Sequence, residues 1–259
     1  MYLYYLLGQK TFRSNTAYRA AHVVDSFGSA IFGFIMIFIW KAATVTSGGL
    51  GPYSTEALML WVAFGQTLFP LAFGMAEGLN IQQAVRTGSI SIEFLRPMNY
   101  FSYVLSREMG QQLYQFVYRS MPIFVIFAVT IGYRVPSMAA LLLLIPSCLL
   151  SMYVGLCLTY LVGISSFWTV DIRGAHYIHF ALSTAISGMQ IPADLLPGIL
   201  GRIAPYTPWA SLAHYPCLVY LEIKGLSALT IQVFWALTLT LLCLFVTKVA
   251  RRALEVQGG

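Results

Sequence analysis

The sequence predicts an all-α integral membrane protein with six transmembrane helices, and three observations carry this prediction. Of the 259 residues, 58% are hydrophobic and 9% are charged, whereas a soluble domain carries about 25% charged residues. Six apolar windows are long enough to cross a bilayer, which takes about 20 helical residues. None of them shows the strict alternation of an outer-membrane β-strand.

The six windows are separated by charged residues, glycine or proline. They are Val23–Trp40, Ala57–Ala76, Leu113–Gly132, Met138–Gly163, Ala175–Ile191 and Leu226–Thr247. Backbone polar groups in hydrocarbon must be satisfied within the segment, so each window is predicted to be a helix. Irregular chain is expected between the windows or inside the bundle. The six-span domain is placed at 22–259.

The first residues, 1–21, predict a helix that lies in the membrane interface. Leu3, Leu6 and Leu7 and three tyrosines precede the cations Lys10 and Arg13. Tyrosines suit the headgroup level and cations suit anionic lipid. A frayed tail is the alternative.

The Lys and Arg residues set the orientation. With the N-terminus inside, ten of them fall on the cytosolic side and four on the outer side, and Arg119 lies within a window. The excess places both termini in the cytosol and predicts a multi-pass protein of the cell inner (plasma) membrane. The largest cytosolic loop is then 77–111, and the largest outer one is Gln190–Gly225.

All nine Asp and Glu residues fall at window ends or in loops. A proton- or sodium-coupled carrier normally needs ionisable or oxygen-rich ligands at mid-depth, so this distribution weakens that interpretation. The sequence also lacks the nucleotide-binding, serine-hydrolase and zinc-protease motifs. We therefore predict no catalytic residue, no metal site and no cofactor in this chain.

Two features of the spans leave alternatives open. Arg119 is a functional-site hypothesis because it lies within a window, but it could also reach the headgroups or meet Glu108, three turns earlier. His176 and His179 have a spacing that could share a metal. No further ligand stands one turn away, which favours packing histidines.

The cytosolic loop 77–111 is too apolar for a solvated linker. Its apolar residues are interspersed with charges; the apolar ones are Ile90, Ile92, Phe94, Leu95 and Met98, and the charged ones are Arg86, Glu93 and Arg96. Pro97 ends any preceding helix and Gly88 permits a tight turn. Such a segment needs a protein partner or the bilayer surface.

The outer region 190–216 cannot be one helix, because it contains five prolines. Within it, Leu196, Ile199, Leu200 and Ile203 recur at helical spacing. The pattern predicts a short amphipathic element at the outer interface. A long plain loop is the alternative.

Both regions resemble a known family. The stretch from Arg86-Thr-Gly88 to Leu95-Arg96-Pro97, and the stretch from Ser187 to Pro197 followed by Ile203–Trp209, look like the permease (transmembrane) subunits of type 2 ATP-binding-cassette (ABC) exporters. The branch that the sequence most resembles is the six-span one formerly grouped as a domain of unknown function. The resemblance extends over essentially the whole chain.

The resemblance implies a cytosolic coupling helix and short outer re-entrant helices between spans five and six. The residues expected to contact the ATPase are Arg86, Glu93, Leu95, Arg96 and Pro97. Those expected to form an outer gate are Gln190, Pro192, Pro197 and Trp209. The proposed substrate-path residues are Gln66, Thr67, Ser183, Thr184 and Ser187, although such residues more often serve helix packing.

The implied function is that of a transport subunit without its own ATPase site. It would pair with a second copy or a related six-span permease and with cytosolic ABC ATPase subunits, which bind the ATP and Mg. Since few polar groups reach mid-depth, the expected substrate is amphipathic or lipid-like, such as a drug, peptide or glycolipid, moved outward. A self-contained secondary carrier or channel is the alternative.

Overall fold

The computed structural model describes residues 2–16, 19–73, 76–96, 98–169 and 171–257. These residues fold into an almost entirely helical bundle. Its α-helices are α1 (Tyr2–Asn15), α2 (Arg19–Thr44), α3 (Thr55–Ala72), α4 (Ile81–Arg86), α5 (Ile90–Phe94), α6 (Tyr100–Gln115), α7 (Met121–Thr130), α8 (Met138–Ile164), α9 (Arg173–Ile186), α10 (Ile199–Ile203), α11 (His214–Tyr220) and α12 (Leu226–Gln257). A hairpin of two short strands, Gly49–Leu50 and Tyr53–Ser54, joins α2 to α3.

Five helical segments of the described chain are long and apolar enough to cross a membrane. They are Val24–Thr44, Thr55–Arg86, Tyr100–Thr130, Met138–Phe167 and Leu226–Arg252. The second is the most enclosed, with 81% of its apolar window buried against 22% for the first and the last. The structure therefore has an all-α fold suited to several membrane crossings.

The predicted fifth window, Ala175–Ile191, is helical only as α9, which has 14 residues and ends at Ile186. At 1.5 Å per residue this helix is about 21 Å long, short of the ~30 Å hydrocarbon core. The chain bends after Ile186, at Gly188, whose φ of 82° lies in the left-handed region. A sixth crossing at α9 stays a prediction.

Three helices begin at side-chain caps. Ser54 accepts a hydrogen bond from the Ala57 amide at the start of α3, and Ser137 accepts one from the Ala140 amide at the start of α8. The Asn99 side chain accepts a hydrogen bond from the Ser102 amide at the start of α6. Such caps satisfy amides that have no partner in the helix, so they determine locally where each of these helices starts.

The helix predicted over Leu113–Gly132 is longer than its apolar window. It begins at Tyr100, twelve residues inside the predicted loop 77–111, and runs through a π-helical turn at Phe116–Ser120 into α7. Pro122 cannot donate to the carbonyl of Tyr118, four residues before it. Ser26 of α2 donates to this carbonyl instead, at 3.5 Å.

Helices α8 and α12 pack side by side and run parallel. Three hydrogen-bonded side-chain pairs join them in rising order along both helices: Ser147–Gln232 at 2.7 Å, Tyr153–Thr240 at 2.6 Å and Tyr160–Thr247 at 2.6 Å. Hydrogen bonds between membrane helices contribute about 0.6 kcal/mol each. Because the two helices are parallel, the chain between them returns to the end of the bundle where α8 begins.

Helix α1, which covers most of the predicted interfacial segment 1–21, packs along α6. Gly8 and Gly110 let the two backbones approach so closely that a Cβ on Gly110 would collide with Gly8. Phe12 contacts the ring of Tyr114 edge-on, at 5.8 Å between centroids. The side-chain amide of Asn15 donates a hydrogen bond to the side-chain carbonyl oxygen of Gln111. The location of α1 in a membrane interface stays a prediction.

Candidate functional site

The connection between α3 and α6, described over 76–96 and 98–99, begins with a tight turn. Gly78, Leu79 and Asn80 all have positive φ, between 52° and 59°. Such a conformation is unfavourable for a side chain like that of Leu79. Leu79 is nevertheless held there because its side chain is fully buried and its carbonyl accepts a 2.5 Å hydrogen bond from Arg107 of α6.

The same turn is packed tightly on the end of α8. Gly78 and Gly163 are in backbone contact, and a Cβ on Gly163 would collide with the Gly78 carbonyl. Arg107 in turn forms a 3.0 Å ion pair with Glu108. The turn is therefore fixed to both α6 and α8, which gives the connection rigid contacts with two long helices.

Helix α5 has one buried and one exposed face. Ile90 is 1% exposed, whereas Ile92 is 67% and Leu95, just past the helix end, 84% exposed. Phe94 stacks on Tyr100 of α6, with 4.6 Å between ring centroids. The buried face thus attaches α5 to α6, and the exposed face presents two large apolar side chains.

The predicted ATPase-contact residues are partly clustered. Glu93, Leu95 and Arg96 lie on α5 or just after it, and the Arg96 guanidinium lies 4.7 Å from the centre of the Tyr103 ring. Arg86 is exposed at the end of α4, before the Gly88 turn. Pro97 lies outside the described residues. Their contact with an ATPase stays a prediction.

The connection between α9 and α11, residues 187–213, contains α10, three 3₁₀ turns and irregular chain, and its first part is held against α2 and α3. Trp61 of α3 donates a 2.6 Å hydrogen bond to the Gly188 carbonyl, and Trp40 of α2 donates a 3.0 Å bond to the Gln190 carbonyl. Gly65, midway along α3, lies so close to Met189 that an added Cβ would be 2.9 Å from its carbonyl oxygen. This part of the connection therefore reaches the middle of α3.

The later part of the connection reaches the middle of α8. Ser151, the central residue of α8, donates a 2.5 Å hydrogen bond to the Leu212 carbonyl. Gln232 of α12 donates to the carbonyls of Ser211 at 3.0 Å and Ser147 at 3.1 Å. Backbone that is not bonded within a helix needs other protein partners where water is absent, and these side chains supply them to the carbonyls of Ser211 and Leu212.

Histidine and tyrosine side chains close the connection on itself. The backbone N–H of His214 donates a 2.9 Å hydrogen bond to the Ser187 carbonyl. Nδ1 of the His214 side chain accepts a 3.2 Å hydrogen bond from the backbone N–H of Ala193. Tyr53 donates to the Asp194 carboxylate at 2.9 Å. Burial and this carboxylate raise the pKa of Tyr53, so its hydroxyl remains a donor at neutral pH.

The predicted gate residues take different positions in this connection. Pro192 is buried and precedes the 3₁₀ turn Ala193–Leu195, whereas Pro197 is exposed. The backbone of Gln190 is held by Trp40 as described, and the buried Oε1 of its side chain has no partner. Trp209 is half-buried, with its indole N–H 3.4 Å from Nδ1 of His179. A gating role stays a prediction.

The proposed substrate-path residues fall into two groups that the structure keeps on different helices. Gln66 is 2% exposed with an unpartnered Nε2, and Thr67 hydrogen-bonds to Tyr133 at 2.9 Å. On α9, Ser183 is buried without a partner and Thr184 bonds to its own helix. Ser187 accepts from the Met189 amide. Thr67, Thr184 and Ser187 thus make internal contacts, while Gln66 and Ser183 keep unused polar groups.

The structure bears on one of the alternatives for Arg119, a contact with Glu108. Glu108 pairs with Arg107, which leaves contact with the headgroups and the functional-site hypothesis as the alternatives for Arg119. Arg119 lies in the π-helical turn with its Nε buried. Among the described residues no group of three or more His, Cys, Asp or Glu side chains could hold a metal.

Sequence reasoning missed the residues that hold the α9–α11 connection. Trp40, Trp61, Ser151 and Gln232 all lie within or next to apolar windows, and their donors bind backbone carbonyls far away in the sequence. The signal that could have found them is a hydrogen-bonding group inside a span, which needs a partner in hydrocarbon.

A polytopic helical bundle with irregular chain at mid-span is typical of membrane transport proteins. Comparison with protein families identifies the class of transport protein. The chain belongs to the ABC-2 family of transporter proteins, whose sequence model matches residues 30–258. It is accordingly a membrane transport subunit of an ABC system, the partner of ABC ATPase subunits and not the ATPase itself. Neither a curated protein nor a solved structure matches the chain significantly.

Proposed function

We propose that this chain is the permease of an ATP-driven exporter that moves an amphipathic or lipid-like substrate outward. Two six-span permeases, identical or related, form the membrane unit, and two cytosolic ATPase subunits bind the ATP and Mg. The single observation that carries the proposal is the α5 segment, which is fixed to the bundle on one face and exposes Ile92 of the helix and Leu95, the residue after it, on the other.

The exposed apolar pair on α5 is suited to a groove on a protein partner. Water-exposed large apolar side chains at adjacent positions are typical of interaction sites. The flanking cations Arg86 and Arg96 are exposed and add charge at the edge of this surface. A helix of five residues cannot fold alone, so its shape is maintained by the contacts of its buried face.

Movement of α5 is transmitted to the spans through aromatic contacts. Phe94 stacks on Tyr100, the first residue of α6, and contacts Phe167 beyond α8 edge-on, with 5.9 Å between centroids. The Gly78–Gly163 contact adds a second connection to α8. Closure of an ATPase dimer against α5 therefore displaces α6 and α8 together.

The parallel arrangement of α8 and α12 supports six crossings. Chain that leaves the end of α8 returns to the opposite end of the bundle before α12 begins. Helix α9 and the irregular α9–α11 connection supply this return. A short helix completed by irregular chain inside the bundle satisfies the same backbone requirement as one long helix. Both termini then lie in the cytosol, as the distribution of cations predicts.

The substrate path is proposed between two permeases, lined by α2, α3 and α9. Helices α2 and α9 expose large apolar side chains, among them Ile35 and Phe38 on α2 and Ile178 and Phe180 on α9. These faces match an amphipathic or lipid-like substrate better than an ion. The unpartnered polar groups of Gln66 and Ser183 are the candidates for contact with its polar part.

The coupling surface is tested by a double variant, Leu95→Asp with Arg96→Gln. The matched control is Ile199→Asp with Arg202→Gln, because both of these residues are exposed on α10. We expect the first variant to lose copurification with the ATPase and stimulated ATP turnover, while the control keeps both. Equal behaviour of the two variants would contradict the assignment of α5.

Reconstitution separates the exporter from a self-contained carrier or channel. The purified chain is placed in vesicles with and without its ATPase subunits, and the flux of fluorescent amphiphiles is followed. The proposal predicts outward flux only with ATPase and ATP. Flux of the same size through the chain alone would favour the carrier or channel.

A further inference from the structure

A gap of about 990 Å³ separates α6 from α8, and α1 lies along it. Its volume is at the upper end of ligand pockets, about 300–1,000 Å³. The walls are mainly apolar; they include Met109, Leu113, Phe116, Leu149 and Met152. The gap does not include the α5 surface, and it shares only Leu71 of α3 with the helices of the proposed path, α2, α3 and α9.

Two polar side chains among the lining residues distinguish the buried part of the gap from its exposed edge. Gln112 lines the gap, is fully buried, and has no hydrogen-bond partner for either its amide nitrogen or its amide oxygen. Arg13 of α1 also lines the gap and is exposed, and no ion pair joins it to the described part of the chain. A buried amide without a partner is costly. Neither amide atom of Gln112 is accessible from the gap as the side chain stands, so an occupant removes that cost only when the side chain turns toward it.

We propose that this gap holds one molecule of an anionic phospholipid. An acyl chain fills the apolar space and the negative headgroup lies beside Arg13. The Gln112 side chain turns toward the gap, and its amide then donates a hydrogen bond to an ester carbonyl of the lipid. The combination of apolar walls, one buried donor and one exposed cation matches the order of groups along a phospholipid. The inference does not depend on the direction or the energy source of transport.

Photocrosslinking tests the occupant. The full chain is placed in nanodiscs that contain equal amounts of phosphatidylglycerol and phosphatidylcholine, one of which carries a diazirine in its acyl chain, and labelled peptides are mapped. We expect phosphatidylglycerol to label the peptides with Met109 and Leu149 preferentially. Arg13→Gln should lower this labelling about fivefold, since a basic residue near the surface contributes about 1 kcal/mol.

The matched control is Lys10→Gln, because Lys10 is exposed on the same helix but does not line the gap. We expect it to change labelling less than twofold. Leu149→Trp, which fills the gap, should reduce labelling by both lipids. The proposal is overturned by equal labelling with the two lipids, by labelling confined to other peptides, or by equal effects of Arg13→Gln and Lys10→Gln. If Arg13→Gln does not fold, the proposal is judged on the unmodified chain alone. The two readouts are then the preference for phosphatidylglycerol over phosphatidylcholine and the identity of the labelled peptides.

Discussion

The indole N–H of Trp61 donates a 2.6 Å hydrogen bond to the carbonyl oxygen of Gly188. This bond joins the interior of α3 to irregular chain that follows α9, across 127 residues of sequence. A connection of largely irregular chain needs defined contacts that hold it against the bundle. The Trp61–Gly188 bond is such a contact, and its strength can be measured.

Trp61→Phe removes the donor and leaves the Gly188 carbonyl buried without a partner. We expect a loss of about 1–3 kcal/mol in the free energy of unfolding, the usual cost of such a group. Thermal unfolding in detergent measures it. Trp168→Phe is the control, because Trp168 is 52% exposed; its variant should unfold like the unmodified chain, and an equal loss in both would contradict the assigned role.

Gly163→Ala places a methyl group against the Gly78 carbonyl. Both partners are backbone, so no side chain can rotate away, and overpacking of this kind costs about 1–3 kcal/mol. Gly28→Ala on α2 is the control, since nothing lies within 4 Å of its new Cβ, and removal of a helical glycine should stabilise by up to ~1 kcal/mol. Unfolding curves that shift in the same direction for both variants would refute the close contact.

Gln232→Leu and Ser147→Ala form a double-mutant cycle. Their side chains share a 2.7 Å hydrogen bond and Gln232 also holds the Ser211 carbonyl. We expect Gln232→Leu to cost about 1–3 kcal/mol, and the double variant to cost less than the sum by at least ~0.5 kcal/mol. Ser147→Ala with Tyr53→Phe is the control pair, which should be additive because the residues lie in separate networks. Additivity in both pairs would argue against the bond.

Phe94→Leu separates attachment to the ATPase from transmission. The change removes the ring that stacks on Tyr100, worth about 0.5–1.5 kcal/mol, but leaves Ile92 and Leu95 exposed. We expect the ATPase to copurify as before and stimulated ATP turnover to fall severalfold. Leu95→Asp should lose both copurification with the ATPase and stimulated ATP turnover. If Phe94→Leu keeps full stimulation, the stack does not transmit the movement.

The composition and the apolar windows predicted an all-α membrane protein, and the structure agrees for five of the six windows by length. The start of α6 lies outside the apolar window because Tyr100–Gln112 is not apolar. This stretch is helical through the Asn99 cap and contacts with α1 and α8. The predicted window Ala175–Ile191 was too long by five residues at its end. Apolar composition continues past Ile186, but Gly188 adopts a positive φ and the chain bends.

The candidate site was predictable in part. Proline and glycine positions indicated breaks in the chain, and the amphipathic loop predicted apolar side chains available to a partner. Which of these are buried, as Ile90 is, and which are exposed, as Ile92 and Leu95 are, was not predicted. The partners of Gly188, Gln190 and Leu212 were not predictable, because each bond joins a side chain on one helix to a carbonyl on a distant segment.

The sequence by itself determined that this chain lives in a bilayer, which segments are apolar enough to span it, and which family it resembles. These properties depend on hydrophobicity and local chain stiffness, which are summed over neighbouring residues. Only the tertiary structure decided that α8 and α12 are parallel, that irregular chain reaches the middle of α3 and α8, and that α1 and α6 leave a gap beside α8. Those features depend on contacts between residues far apart in the sequence, whose geometry no local pattern encodes.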